Sequence, residues 1–289
     1  MPFLQGDLWK FGLFPIVRLV LALLFVAMPI ALVEVLVKSL GVPSYDSLIF
    51  TCLAVPSAFA SYWVYVRLVE QRSVSELAFV ASSKEFGYGL LLGTSLFVVT
   101  IGILWGAGFY HVTGTNGWIV LIQSVSMAVM SGFIEELITR GIIFRIVEES
   151  LGTWIALVFS ALLFGSLHLG NPHATLFSAT AIALEAGLLL GACYILTRRL
   201  WLAIGFHLAW NLVQGGIFGV AVSGIEARGI LQSNLTGPEI LSGGSFGAEA
   251  SFVAVIVCVT GFIVVIVRAR KKGQILQPFW VRSKTLQPT

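Results

Sequence analysis

Long apolar blocks alternate with short polar breaks along the whole chain. Eight blocks, at about 13–37, 48–68, 86–108, 118–145, 152–170, 174–196, 200–220 and 250–268, are each long enough to cross a bilayer core as a helix. Membrane-spanning strands are excluded, because a lipid-exposed sheet edge would leave backbone groups unpaired and the alternation of a membrane barrel is absent. The expected fold class is therefore all-α: a polytopic bundle of about eight transmembrane helices forming a single domain over 1–289. Residues 69–85 are the most polar internal stretch, and Val74, Leu77 and Phe79 within it suggest a short interfacial segment. Residues 221–249, rich in Gly and Ser, are expected to form a flexible external loop. Residues 273–289 are expected to be a cytoplasmic tail.

Composition agrees with this reading. The 289 residues are 57% hydrophobic and 11% charged, with a mean hydropathy of +0.96, whereas a soluble domain carries about 25% charged residues. Lys10 and Arg18, Arg67 and Arg72, Arg140 and Arg145, Arg198 and Arg199, and the Arg268–Lys272 cluster mark alternate breaks. The other breaks carry little positive charge, with Lys38 the mild exception. The positive-inside rule then predicts both termini in the cytoplasm. No cleavable leader is expected at the N-terminus, since the first apolar run is long enough to span. The net charge of +3 is accounted for by these loops and makes no case for nucleic acid. Cys52, Cys193 and Cys258 all fall inside predicted spans and are expected to be small buried apolar residues.

Against this background the polar residues inside the spans stand out. Glu135 and Glu136 are adjacent in the fourth span, where one charge near the bilayer centre costs roughly 2.5–3.5 kcal/mol on insertion scales. Arg140 is four residues beyond Glu136, so those two share a helix face and can pair. Glu135 lies about 100° around the helix and is left for other work. His207 and Asn211 share a face of the seventh span by the same spacing. His168 and Glu135 lie at similar separations from the expected turn at Ser150–Thr153, so an antiparallel hairpin brings them to similar heights. The expected result is a polar site within the inner leaflet, open to the cytoplasmic side. Packing is the alternative for each residue: a lone membrane histidine or asparagine often only bonds a neighbouring helix. Glu185, in the sixth span, is an intramembrane acid without a local partner. Glu34 is expected to snorkel, His111 and His173 to face solvent or cap turns, and Gly187 and Gly191 to mark a close helix contact.

A carboxylate, two imidazoles and an amide suit hydrolysis. Glu135 can act as general base on a water, and Asn211 with one His can donate to an oxyanion. There is no HExxH motif and no Ser or Cys nucleophile beside a base. Spacing leaves open whether the water is bound by a metal or held by the side chains alone.

Three motifs in order carry a family resemblance: Glu135-Glu136-x-x-x-Arg140, Phe164-x-x-x-His168 and His207-x-x-x-Asn211, with Glu70–Leu77 preceding them. Over about 70–270 the chain resembles the CPBP family of CAAX-protease and bacteriocin-processing membrane proteins, also called the Abi family. The resemblance implies an intramembrane metalloendopeptidase similar to the type II CAAX prenyl protease. It implies Glu135 as water activator, His168 in water or metal binding, and His207 and Asn211 as oxyanion donors or further ligands. Glu136 and Arg140 are support. The metal set it offers is Glu135, His168 and His207, holding a divalent ion such as zinc. The substrate would be a peptide, bacteriocin precursor or membrane-protein segment, met with membrane lipid around it. The chain looks bacterial in style, which places it in the bacterial inner membrane. Two other classes compete. A non-catalytic scaffold or bacteriocin-immunity protein on the same fold would not need Glu135. A transporter with the acidic pair as proton relay would show an inverted repeat or broken helices, and neither is evident. Nothing in the sequence indicates the oligomeric state.

Overall fold

The computed structural model describes residues 15–41 and 47–282. The expectations resting on Lys10 and the two termini lie outside the described residues. The chain is an all-α membrane bundle. Helix α1 spans Pro15–Ser39, α2 Leu48–Leu68 and α3 Ser82–Gly106. A continuous helical run, α4, covers Trp118–Leu151. Helix α5 spans Thr153–Leu167 and α6 Leu176–Thr197, and α7 runs from Trp201 to Asn211 and continues in π-helical form over Leu212–Ile217. Helix α8 spans Phe252–Lys271.

Among the described residues, seven helices are long and apolar enough to cross a membrane. The eighth expected span is α7, whose 11 α-helical and 6 π-helical residues make it shorter than the rest. It lies mostly inside the bundle, so it need not match the lipid thickness.

Helix packing follows from small residues. A Cβ on Gly89 would sit 2.3 Å from the Leu202 carbonyl, and one on Gly93 2.4 Å from that of Phe206. One on Gly205 would sit 2.3 Å from the Phe86 carbonyl. With no hydrophobic drive between helices in lipid, such close approach supplies the dispersion contacts that hold α3 against α7. Gly187 and Gly191 serve α6 the same way, against Ala161 and Leu157 of α5.

Ion pairs collect at one end of the helices. Glu70 bonds Arg18 at 2.8 Å, Arg72 at 2.7 Å and Arg145 at 2.9 Å. Burial works against the Glu70 charge, but Arg145, Arg18 and Arg72 outweigh it and hold the carboxyl down at about 2. Glu76 joins through Arg72 at 2.6 Å and the Tyr62 hydroxyl. Residues 69–85 are thus anchored by inward-facing charges, while Phe79 and Val80 face outward. The expected interfacial segment is locked to the bundle because two spanning-helix arginines, Arg18 and Arg145, find their counter-charge in it. Glu148 is also drawn inward, to Arg198 and Thr153. The chain after α8 docks at this end, with Thr153 N–H donating to the Leu276 carbonyl at 2.9 Å.

The opposite end departs from the sequence reading. Strands β1 (Tyr110–Thr115) and β2 (Leu231–Leu235) pair antiparallel there, with an irregularity between Val112 and Gly114. The loop expected to be flexible over 221–249 is instead a built cap. Gly224 N–H donates to the Phe246 carbonyl at 2.7 Å. At φ +81°, a Cβ on Gly224 would meet the Pro172 carbonyl at 1.8 Å, so only glycine fits. Glycine content here signals tight turns, not looseness. Cys193 and Cys258 are buried as expected, but Cys52 is exposed on the outer face of α2.

Candidate active site

The fourth span sets the site. Its helix is π-wound over Ser131–Glu135 and again over Leu137–Phe144. The other π-helical stretches among the described residues are Ala183–Gly187 and Leu212–Ile217. All four adjoin the polar residues singled out above. A π turn carries an extra residue and re-aims its side chains, and such turns concentrate at functional sites.

The two acids take separate environments. Glu136 is fully buried, and its Oε1 accepts from Arg140 Nη1 and from His207 Nδ1, each at 2.9 Å. Arg140 is also fully buried. It donates to Thr139 Oγ1 at 2.9 Å and to the Ala186 and Gly187 carbonyls at 3.2 and 3.1 Å, and its guanidinium lies 4.7 Å over the Phe164 ring. Those carbonyls belong to the π-helical part of α6, so the ion pair also ties α4 to α6. Glu135 keeps 39% of its side chain exposed, and its Oε2 stands 4.0 Å from His207 Nε2.

Both histidines are oriented by their Nδ1 atoms. His168 caps α5 and donates from Nδ1 to the Phe164 carbonyl at 2.7 Å. A carbonyl only accepts, so the proton is on Nδ1 and Nε2 keeps its lone pair. His207 donates from Nδ1 to the Glu136 carboxylate, which leaves its Nε2 toward Glu135. Asn211 donates one amide hydrogen to Ser131 Oγ at 2.8 Å, and Ser131 in turn donates to the Met127 carbonyl at 3.0 Å. The second amide hydrogen of Asn211 remains to be used.

Glu135, His168, His207 and Asn211 line one pocket of about 370 Å³, together with Phe164, Ser131 and Thr139. Glu136 and Arg140 stand behind its wall. A smaller cavity of about 20 Å³ adjoins it, lined by Glu185 and Glu249 as well as His168, His207 and Asn211. Glu185 is buried, with Oε2 lacking a partner. Glu249 accepts from the Ser223 backbone N–H, and burial raises its carboxyl to about 7. The remaining candidates stand apart: Glu34 pairs with Lys38, His111 bonds Thr236 on the β-sheet, and His173 lines a separate surface cavity.

The histidine geometry is of the kind metal ligands show, with each Nδ1–H tied to a carbonyl or carboxylate. Yet among the described residues no group of three His, Cys, Asp or Glu side chains is placed to hold an ion. Glu135, His168 and His207 share the pocket without closing into such a set.

Sequence reasoning missed Ser131, Thr139 and Glu249. Serine and threonine in a span carry no signal above background. Glu249 was hidden inside a glycine-rich stretch read as loop.

Residues 116–213 match the family model of Rce1-like proteins, described as type II CAAX prenyl endopeptidase Rce1-like. Over this segment the chain is similar to the Rce1-like family. The matched segment holds Glu135, Glu136, Arg140, His168, His207 and Asn211, while Ser223, Ile225 and Ala227 of the pocket wall lie beyond it. No curated protein matches the chain.

Proposed function

We propose that the protein is an intramembrane endopeptidase that hydrolyses a peptide bond of a membrane-associated or lipidated peptide or protein, in the manner of a CAAX protease. The observation that carries this is the split of the acidic pair. One carboxylate is buried on Arg140 and His207, and its neighbour is partly exposed in the pocket beside the same histidine.

In this reading Glu135 takes a proton from a water lying between it and His207, a separation too long for a direct bond and suited to a bridging water. The water oxygen attacks the scissile carbonyl, and Glu135 then delivers the proton to the leaving amine. His168 accepts the second hydrogen of that water at Nε2, so the contact with His207 is made when His207 Nε2 also carries a proton and donates to the water oxygen. Asn211 donates its free amide hydrogen to the oxyanion, joined by His207 when Nε2 also carries a proton. Glu136 holds the His207 ring in place, and Arg140 neutralises Glu136. A divalent ion such as zinc remains a proposal carried by the resemblance alone.

The test is cleavage of a panel of membrane peptides, prenylated and plain, by protein in lipid vesicles, with and without chelator. Cleavage of some peptide that disappears in Glu135→Gln supports the reading, and loss with chelator would assign a metal. A Glu135→Gln variant that cleaves as well as the parent would remove the basis for it.

A further inference from the structure

Charge marks the two ends of the bundle unequally. Arg72, Arg145, Arg198, Arg199, Lys271 and Lys272 lie at the end where Glu70 and Glu76 are bound. Among the described Lys and Arg, only Lys38 and Arg228 lie at the other end.

The pocket belongs to the cation-poor end. Its far wall is Ser223, Ile225 and Ala227 of the cap and Asn171 after α5. Asn171 donates to the Ser223 carbonyl at 2.9 Å, and Ser223 N–H donates to Glu249, so this wall is held in place. Toward the basic end the way is closed. Leu137, Phe144 and Leu200 are fully buried there, and the Tyr62 hydroxyl donates to the Gly141 carbonyl at 2.9 Å.

A side opening accompanies this. Helices α4 and α5 pack along Leu137–Phe144, near the basic end, and part company over Leu121–Glu135. Met127 on α4 and Leu167 on α5 face the resulting wedge, and Leu167 is 60% exposed.

We propose that substrate reaches Glu135 from the cation-poor face, through the wedge between α4 and α5. The positive-inside rule puts that face away from the cytoplasm. The substrate is then an extended, apolar peptide segment presented at the outer half of the membrane. This reverses the cytoplasmic opening expected from the helix heights. The inner-leaflet depth expected from the sequence is reversed with it, because helix heights alone do not show which loops wall the site. The substrate statement rests on the peptidase reading, and the direction of opening does not.

Two arms test it. In cells expressing the chain with Cys52→Ser, Ile225→Cys and Glu226→Cys are placed on the cap and Lys272→Cys at the basic end, each singly. A membrane-impermeant maleimide should label the cap variants at least tenfold more in intact spheroplasts than in the cytoplasmic-side reaction. It should label Lys272→Cys only in inside-out vesicles. Cap variants labelled only in inside-out vesicles, or on the same side as Lys272→Cys, would overturn the direction. In the second arm, a bulky permeant maleimide on Leu167→Cys should lower peptide cleavage at least tenfold, and on Leu162→Cys, also lipid-exposed, should not. Equal cleavage in both would overturn the wedge. If the parent protein cleaves no peptide, the peptidase reading fails while the labelling still decides the direction.

Discussion

At the scale of single residues, the adjacent acids do opposite things. Glu136 has Arg140 and His207 within hydrogen-bond distance and no exposure. Removing Arg140 strands that charge, and breaking a buried pair from one side costs about 3–5 kcal/mol. Arg140→Met should therefore lower the unfolding midpoint sharply in a denaturation series, and Arg140→Met with Glu136→Met should recover most of the loss. Asn211→Ala should leave folding nearly unchanged and reduce cleavage roughly 10²- to 10³-fold, the usual effect of deleting one oxyanion donor, read as a drop in kcat. The Glu136–Arg140 pairing was legible because both residues sit on one helix at fixed spacing. The Asn211–Ser131 bond was not, since it depends on how α7 lies against α4.

At the scale of elements, the crossing of α3 and α7 positions His207 and Asn211. Gly93 has the Phe206 backbone where a methyl would go, whereas Gly102 has nothing within 4 Å. Gly93→Ala should destabilise by about 1–3 kcal/mol, the range for overpacking, and impair cleavage by shifting α7. Gly102→Ala should do neither, and paired thermal melts and cleavage rates check both. These glycines escaped the sequence reading, which noticed Gly187 and Gly191 on α6 instead. A glycine pair suggests that a helix packs closely but not against which partner. The π-wound stretches were equally hidden, because no residue type marks them. Seven of the eight expected spans were legible from apolar length, and α7 is the shorter exception. The β1–β2 pair and the cap were not, because their order comes from turn glycines and from contacts distant in sequence.

At the scale of the whole molecule, charge governs orientation and pH response. Glu249 closes the cap onto the pocket, and burial raises its carboxyl to about 7. A raised acid binds its proton more tightly in the folded state. Its stabilising contribution is complete below the unfolded value near 4.5 and is lost as pH rises through 7, a change of roughly 3 kcal/mol. Glu249→Gln should abolish this part of the pH dependence between pH 4.5 and 8 when midpoints are compared with the parent protein. Glu70 runs the other way: its carboxyl, held at about 2, contributes stability above pH 4.5 that disappears as pH falls toward 2. The membrane class and the basic end were readable from composition and charge. The cap and the divergence of α4 from α5, on which the proposed access route rests, were not.

The most direct measurement of the central claim is the single-turnover rate of peptide cleavage by Glu135→Gln in lipid vesicles, taken with its unfolding midpoint. The expected result is a fall of about 10²- to 10⁴-fold, the range for losing a general base, with the midpoint within a degree or two of the parent. Cleavage within a few-fold of the parent at an unchanged midpoint would contradict it.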